Sequence, residues 1–321
     1  FWIGILFGVG ALATALAPVP SLIPGADGKF VAASSFPIAF FMLFRFLGGI
    51  GVGLSSVVAP IYTAEIAPAR VRGRLVGLVQ FNIVFGILLA YASNAIIREI
   101  VHEDIAWRWM LGVMAVPAVF FLIFLATVPE TPRWLLAHGH EERAVAISER
   151  LTSTQEESSE QIAEMKAQIA EDAAGGKVAF FTRRYRKVIL MAFCIAMFNQ
   201  LSGINAILYY APKVMKLAGG EHVLGPAFPY VASVIVGLMN LIATMAALTV
   251  IDKLGRRQLM IVGSIGYLVS LGFLSAIMFA YEGNKFEQNS AVPVWLILIG
   301  LLAFIASHAF GQGSVIWVFI S

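Results

Sequence analysis

The stretch Phe198–Tyr210 reads FNQLSGINAILYY and sets four polar side chains in a run otherwise apolar enough to cross a lipid bilayer. These are Asn199, Gln200, Ser202 and Asn205. An amide side chain in hydrocarbon costs free energy unless a partner satisfies its donors and acceptors. Four polar residues within seven positions therefore predict a lined cavity in the membrane, and the hydroxyls of a sugar would fit its amides.

Helical geometry divides these four residues between different faces. With Asn199 at zero and about 100° per residue, Gln200 lies at roughly +100°. Ser202 and Asn205 then lie at roughly −60° and −120°, so a straight helix spreads the set over about 220°. Gly203 lies between them and permits a bend. We therefore expect a bent helix that turns Gln200 and Asn205 toward the ligand. The other two side chains are expected to satisfy neighbouring backbone groups.

Composition indicates a helical membrane protein. Of the 321 residues, 59% are hydrophobic and 13% are charged, with a mean hydropathy of +0.84. Soluble domains carry about 25% charged residues, and the ten-residue alternation of an outer-membrane barrel is absent. Apolar runs long enough to span occur eight times. They are Phe1–Ala17, Phe36–Ile61, Leu75–Ile97, Trp109–Val128, Val188–Met215, Phe228–Val250, Leu259–Ala280 and Val292–Ile320.

The basic residues predict which loops face the cytoplasm. Of the 22 Lys and Arg residues, three lie in 70–74, nine in 133–187 and three in 252–257. Loops rich in Lys and Arg face the cytoplasm under the positive-inside rule, and eight spans alternate with these loops without exception. We therefore predict a multi-pass protein of the cell membrane with residues 131–187 in the cytoplasm. The charge pattern favours contact with the lipid bilayer and not with nucleic acid.

Four spans, a hydrophilic insert and four further spans predict two transmembrane halves. Residues 1–130 are assigned to part of an N-terminal half, 131–187 to a cytoplasmic helical linker and 188–321 to part of a C-terminal half. Apolar residues three to four apart predict linker helices over Glu141–Leu151 and Ser153–Asp172. Because the chain begins without Met inside one apolar run and stops as another ends, we also expect a fragment of a longer protein.

Six motifs follow one another along nearly the whole chain. They are RFLGGIGVG (Arg45–Gly53), PIYTAEIAPARVRGR (Pro60–Arg74), WRWMLG (Trp107–Gly112), PETPRWL (Pro129–Leu135), NQLSGINAILYYAPKV (Asn199–Val214) and DKLGRR (Asp252–Arg257). In this order and spacing they resemble the sugar porter family of the major facilitator superfamily. The resemblance implies an all-α fold of twelve transmembrane helices in two halves, of which this chain resembles helices three to ten.

The resemblance implies a sugar site built from amides and an indole. The matching positions are Gln80, Gln200, Asn205, Asn240 and Trp317. Amides both donate to and accept from hydroxyls, and an indole stacks on the apolar face of a pyranose. Without the resemblance, each amide would be better explained by a helix–helix hydrogen bond, and Trp317 by a position at the membrane interface.

Two parts of this site depart from the family pattern. Asn199 stands where the family usually has a first Gln. Gln312, Ser314 and Ile316 replace more usual residues of the helix-ten motif, which commonly contains proline. We therefore expect a less broken helix before Trp317.

Charged residues at the cytoplasmic ends of helices match the inner gate of the family. They are Glu65, Arg72, Glu130, Arg133, Asp252, Arg256 and Arg257. The resemblance implies that they form an ion-pair network that holds the gate shut; the alternative is simple anchoring of the helix ends. Isolated surface ion pairs contribute only about 0–1 kcal/mol, whereas breaking a buried network can cost several kcal/mol.

Arg45 is a charge inside a predicted span, which is by default a functional hypothesis. In proton-coupled sugar porters the matching Arg pairs with an acid on helix one, and protonation of that acid is linked to sugar binding. The same Arg also occurs in uncoupled facilitators. Arg45 is therefore a candidate for proton coupling, and the alternative is an Arg near a helix end that reaches the interface.

These features predict a transporter of a monosaccharide, hexose or pentose, that works by alternating access with proton symport. The alternatives are an uncoupled sugar facilitator and a sensor that binds sugar without moving it. No enzyme is indicated, since the five His residues are scattered, none pairs with Cys194, and no phosphate loop of the GxxxxGK[ST] type occurs. We expect a monomer without cofactor or metal, with a monosaccharide and protons as its partners.

Overall fold

Long apolar helices dominate the structure, a computed structural model that describes residues 1–19, 22–24, 30–32, 34–67, 72–152, 154–174, 182–183, 185–282 and 291–313. Side chains are described for these residues except 22–24, 30–32, 72–74, 76, 77, 252 and 282. In chain order the elements are α1 (Trp2–Ala15), β1 (Leu22–Pro24), β2 (Phe30–Ala32), α2 (Phe36–Ile66), α3 (Arg72–Ile100), α4 (Glu103–Gly112), α5 (Ala115–Leu125), α6 (Pro132–Ala137), α7 (Glu141–Leu151), α8 (Gln155–Ala174), α9 (Arg186–Leu201), α10 (Ile204–Leu217), α11 (Gly220–Leu224), α12 (Phe228–Leu254), α13 (Arg256–Glu282), α14 (Val292–His308) and a π-helical turn (Ala309–Gly313).

Within the described residues, seven stretches of helix are long and apolar enough to cross a membrane. They are Phe36–Ile66, Leu78–Ile100, Glu103–Leu125, Arg186–Leu217, Phe228–Ile251, Arg256–Tyr281 and Val292–Gly313, and each corresponds to one predicted span. The remaining predicted span, Phe1–Ala17, holds only the 14-residue helix α1. At 1.5 Å per residue α1 is about 21 Å long, which falls short of a hydrocarbon core of about 30 Å. Pro18 follows this helix and disfavours helical backbone in the residue before it.

A short antiparallel strand pair lies between the first two helices. Leu22 pairs with Ala32, Ile23 with Val31 and Pro24 with Phe30. Strands of three residues are too short to show an alternating pattern, so the sequence does not predict them. The strand pair is an exception within an otherwise helical fold.

The described helices belong to two compact units. The first comprises Phe1–Val76 and Ile100–Val178, and the second comprises Gly77–Glu99 and Ala179–Ser321. Most of α3 therefore belongs with the elements that follow the insert. The predicted division into two halves and a linker remains a prediction.

The core of the second unit is built around α14. Ile297, Phe304 and Ile305 on this helix are fully buried, and Val236 of α12 and Met215 of α10 pack in the same cluster. The sequence of α14 is apolar on all sides, which is typical of a helix surrounded by other helices. This arrangement places α14 beside α10 and α12, which carry Asn205 and Asn240.

The insert forms a small helical layer inside the first unit. Helix α7 spans Glu141–Leu151 as predicted, and α8 covers most of the second predicted linker helix. Leu135, Ala144 and Ile162 form its buried core, one residue from each of α6, α7 and α8. The spacing of three to four between apolar residues therefore predicted the helices of the insert correctly.

Candidate functional site

The span Arg186–Leu217 is broken at Gly203. Helix α9 ends at Leu201, α10 begins at Ile204, and Gly203 between them has φ of +85°. Glycine adopts this left-handed conformation without the steric cost that a Cβ atom imposes. The expectation of a bent helix at this position is confirmed.

The break brings together the two amides that the sequence assigned to the ligand. Asn205 donates from Nδ2 to Oε1 of Gln200 over 2.6 Å, and both side chains are exposed. Among the described residues, the amide N–H groups of Gln200 and the carbonyl oxygen of Asn205 have no hydrogen-bond partner. The pair therefore offers donors and an acceptor side by side, as a ligand hydroxyl requires.

The other two polar residues of the stretch point to the protein. Ser202 donates from Oγ to the backbone oxygen of Asn199 over 2.6 Å, as expected. The same Oγ lies 3.5 Å from Nδ1 of His308 on α14. The Asn199 side-chain oxygen is buried and has no hydrogen-bond partner in the described part of the chain, so it does not satisfy a neighbouring backbone group as expected. His308 is one of the five scattered histidines, and a separation of 106 residues from Ser202 leaves no local pattern that predicts this contact.

Asn240 lies on α12 within the second unit and is only 7% exposed. Thr244 follows one helical turn later on the same face, is also buried, and its hydroxyl has no partner among the described residues. Thr244 was missed by sequence reasoning, although a second polar residue four positions after an intramembrane amide was a usable signal.

The remaining predicted sugar-binding residues are less completely placed. Gln80 lies on the part of α3 that belongs to the second unit, and it is half-buried. Trp317 lies outside the described residues. The direct contact between predicted ligands is therefore the pair Gln200 and Asn205, with Gln80 and Asn240 in the same unit.

Polar residues at the end of α14 form a second, buried group. Gln312 is 8% exposed and donates from Nε2 to the hydroxyl of Tyr267 over 3.0 Å. That hydroxyl donates in turn to Oγ of Ser264 over 3.2 Å. Helix α14 continues into the π-helical turn, which ends at Gly313, and the rest of the motif up to Trp317 lies outside the described residues, so the expectation of a less broken helix stays a prediction. Sequence reasoning noted Gln312 only as a departure from the family motif.

The charged candidates have two kinds of surroundings. Arg45 on α2 is exposed, and no described acid forms an ion pair with it. Arg133 at the start of α6 pairs with Asp172 of α8, with Nη2 and Oδ2 3.3 Å apart.

In the ranges described, no group of three or more His, Cys, Asp or Glu residues is arranged to hold a metal ion.

The other gate candidates are placed at helix ends. Glu65 is half-buried at the end of α2, and Glu130 is exposed before α6. Arg256 and Arg257 open α13 and are exposed. Arg72 opens α3 and Asp252 lies near the end of α12, but the side chains of both lie outside the described set.

One contact fixes α2 beside the PETPRWL motif. Tyr62 donates from its hydroxyl to the backbone oxygen of Pro129 over 2.9 Å. The carbonyl is on the residue directly before Glu130. Since Tyr62 lies one turn before Glu65, this bond sets two predicted gate acids on neighbouring segments of the first unit.

In comparisons with known proteins, this chain is similar to sugar transporters. A family model described as "Sugar (and other) transporter" matches residues 3–321. The D-xylose-proton symporter of Escherichia coli K12 is 35% identical over 287 residues, which cover 88% of this chain and 55% of that protein. The galactose-proton symporter of the same strain is 32% identical over 319 residues, 98% of this chain and 66% of that protein.

Solved structures show the same likeness. The partially occluded inward-open conformation of the xylose transporter XylE from E. coli matches with a TM-score of 0.81 and 30% identity, and covers 99% of this chain and 66% of that one. The chain thus spans just over half the length of the xylose symporter that it matches and about two thirds of the galactose symporter.

Proposed function

This chain belongs to the sugar porter family of the major facilitator superfamily, and from that membership we propose that it moves a monosaccharide across a membrane by alternating access. The observation that carries the proposal is the amide pair at the break in the span Arg186–Leu217. Gln200 and Asn205 are exposed and bonded to each other, and each has hydrogen-bonding groups that no other described residue satisfies. A hexose or pentose supplies hydroxyls that pair with such groups in both directions.

The proposed sugar site has three further members, Gln80, Asn240 and Trp317. Gln80 and Asn240 belong to the same unit as the amide pair, and Asn240 is buried on an apolar helix where an unused amide costs free energy. Trp317 is assigned to the site by its match to the family motif alone.

We assign the coupling mode to proton symport. Relatives at 31–35% identity bear the names of proton symporters for D-xylose, galactose and arabinose. Arg45 is an exposed charge on a spanning helix, and an acid that pairs with it would change the charge of that site when it binds a proton. The protein is proposed to act as a monomer in the cell membrane, with residues 131–187 in the cytoplasm.

The proposed inner gate comprises the seven charged residues at the helix ends. In the first unit, Arg133 already forms an ion pair at 3.3 Å, although its partner is Asp172 of the insert rather than another gate residue. The exposed fractions of the two side chains are 42% and 74%, so the pair is easily exchanged for another. We propose that Arg133 exchanges Asp172 for a gate acid when the inner side closes.

Uptake by the full-length protein in proteoliposomes tests the function. We expect saturable uptake of a labelled hexose or pentose, and accumulation above equilibrium when the outside is more acidic than the inside. Saturable uptake without accumulation would replace symport by facilitated diffusion. Absence of saturable uptake of every monosaccharide tried would overturn the proposal.

A single substitution tests the site. Gln200→Ala removes the acceptor for Asn205 and the free amide donors, so we expect sugar affinity to fall by about 1–3 kcal/mol, measured as the Kd for sugar. The matched control is Gln168→Ala on α8, where the same amide pairs with Glu164 in the insert. Wild-type affinity in Gln200→Ala would remove this residue from the site.

A further inference from the structure

Helix α10 contains a carbonyl that its own backbone cannot satisfy. Pro212 lies inside this helix, and proline has no N–H to donate to the carbonyl four residues earlier. That carbonyl belongs to Leu208, which is 8% exposed and packs in the core of the second unit. An unpaired carbonyl in an apolar environment costs free energy, so a donor from another element is required.

Tyr91 of α3 supplies that donor. Its hydroxyl donates to the backbone oxygen of Leu208 over 2.7 Å. The bond joins residues 117 positions apart, and it links α3 directly to α10. The phenol is half-buried against the same core cluster. One bond therefore satisfies both the carbonyl that Pro212 leaves free and a tyrosine hydroxyl in a span.

The ring of Tyr91 is seated independently of its hydroxyl. Gly237 of α12 faces it, and a Cβ atom at Gly237 would lie 2.9 Å from Cδ2 of Tyr91 and 3.3 Å from Cα of Leu88. The absence of a side chain at Gly237 thus makes the space that the ring occupies. Removal of the hydroxyl alone should leave this packing in place.

The position of Tyr91 relates it to the sugar site. Tyr91 follows Gln80 by 11 residues on α3, which is about three turns and leaves the two on nearly the same face. On α10, Leu208 follows Asn205 by three residues, less than one turn. The bond from Tyr91 therefore ties α3, about 16 Å along the helix from Gln80, to the part of α10 that carries Asn205.

We propose that Tyr91 is a positioning residue that latches α10 to α3 and is released when α10 swings about Gly203. Gly203, with φ of +85°, is a pivot at the start of α10, and the Leu208 carbonyl lies five residues beyond it. The latch sets the position of Asn205 for sugar and keeps α10 closed while sugar is bound. This role rests on the proposed transport function, but the bond itself is tested without sugar.

The test is a double-mutant cycle on the full-length protein. Tyr91→Phe deletes the hydroxyl and keeps the ring, and Pro212→Ala gives the Leu208 carbonyl a helical donor of its own. We expect Tyr91→Phe to raise amide hydrogen exchange in α10 by about two- to tenfold, the range of one hydrogen bond. In the Pro212→Ala background, Tyr91→Phe should have no further effect. Tyr230→Phe on α12 is the control, since its ring lies under Arg98 and it keeps that contact.

Uptake kinetics supply the second readout. We expect Tyr91→Phe to raise KM for sugar by about two- to tenfold while kcat does not fall, because release of the latch becomes easier. An equal effect of Tyr91→Phe with and without Pro212 would overturn the latch, as would unchanged exchange in α10. If no sugar is transported, the proposed function fails, while the exchange experiment still decides whether the bond acts as a latch.

Discussion

Two spans of the second unit are interrupted, and they differ in what surrounds the interruption. Gly203 breaks the span formed by α9 and α10, and the π-helical turn Ala309–Gly313 alters the end of the span formed by α14. In the apolar part of the span Arg186–Leu217, 6% of the residues are buried. In the apolar part of the span Val292–Gly313, 56% are buried. Both interruptions carry polar side chains. The two spans therefore differ in burial and not in the presence of polar residues.

The difference indicates which polar group is available to a ligand. At Gly203 the amides of Gln200 and Asn205 are exposed and bond only to each other in the described structure. At the end of α14, Gln312 is buried and donates to Tyr267 on a neighbouring helix, and its Oε1 has no partner among the described residues. Exposure is therefore what distinguishes the two sites. The exposed pair can exchange its partner for a sugar hydroxyl, whereas the buried amide of Gln312 bonds within the helix packing.

The largest expected effect comes from a substitution that breaks the buried region. Gly263 of α13 packs against Gly311 of the π-helical turn, and a Cβ atom at Gly263 would lie 2.5 Å from Cα of Gly311 and 2.8 Å from the backbone oxygen of Ser307. We expect Gly263→Ala to lower the free energy of unfolding by about 3 kcal/mol, since the overlap is with backbone that cannot rotate away. Denaturant titration in mixed micelles measures this change.

Gly272 on the same helix is the matched control. A Cβ atom there would meet nothing within 4 Å, so Gly272→Ala should gain up to about 1 kcal/mol from helix propensity. Equal stability of the two variants would mean that the π-helical turn does not depend on the close approach of Gly263 and Gly311.

An intermediate effect is expected at the exposed break. Gly203→Ala places a Cβ atom on a residue with φ of +85°, which costs about 1–2 kcal/mol. We expect the variant to lose sugar affinity by up to tenfold, because relief of the strain moves Asn205 away from Gln200. Equilibrium binding of the sugar measures the loss.

Gly203→Asn should cause the same kind of affinity loss to a smaller extent, since Asn tolerates left-handed backbone better than Ala. Its loss of affinity should be smaller than that of Gly203→Ala. A variant series in which Ala and Asn both bind like the wild type would show that the site does not need the break.

The spans were predictable because an apolar run of about 20 residues is a strong signal. Their ends were less predictable: α2 was expected to end at Ile61 and runs through Pro60 to Ile66. Hydropathy reports the thickness of hydrocarbon, whereas backbone hydrogen bonding continues into the polar headgroup region. The pairing of β1 with β2 was not predictable from the sequence, because it consists of backbone hydrogen bonds between strands of only three residues.

The amide pair was predictable because Gln200 and Asn205 are close in sequence and flank a glycine. The contact of Ser202 with His308 was not, since these residues are 106 positions apart and no periodicity joins them. The same holds for Gln312 and Tyr267, which are 45 positions apart on different helices. Local patterns thus identified the exposed interruption, and only the packing of the helices revealed the partners of the buried one.

The smallest expected effect separates the two interruptions most clearly. Tyr267→Phe removes the hydroxyl that accepts from Gln312 and donates to Ser264, so the free energy of unfolding should fall by about 1 kcal/mol. Sugar affinity should not change, because this hydroxyl faces protein groups. Gln200→Ala should show the reverse pattern, with affinity lost and stability kept. If Tyr267→Phe instead weakened sugar binding as Gln200→Ala does, the buried group at the end of α14 would belong to the binding site, and burial would not distinguish structural from ligand-binding amides in this protein.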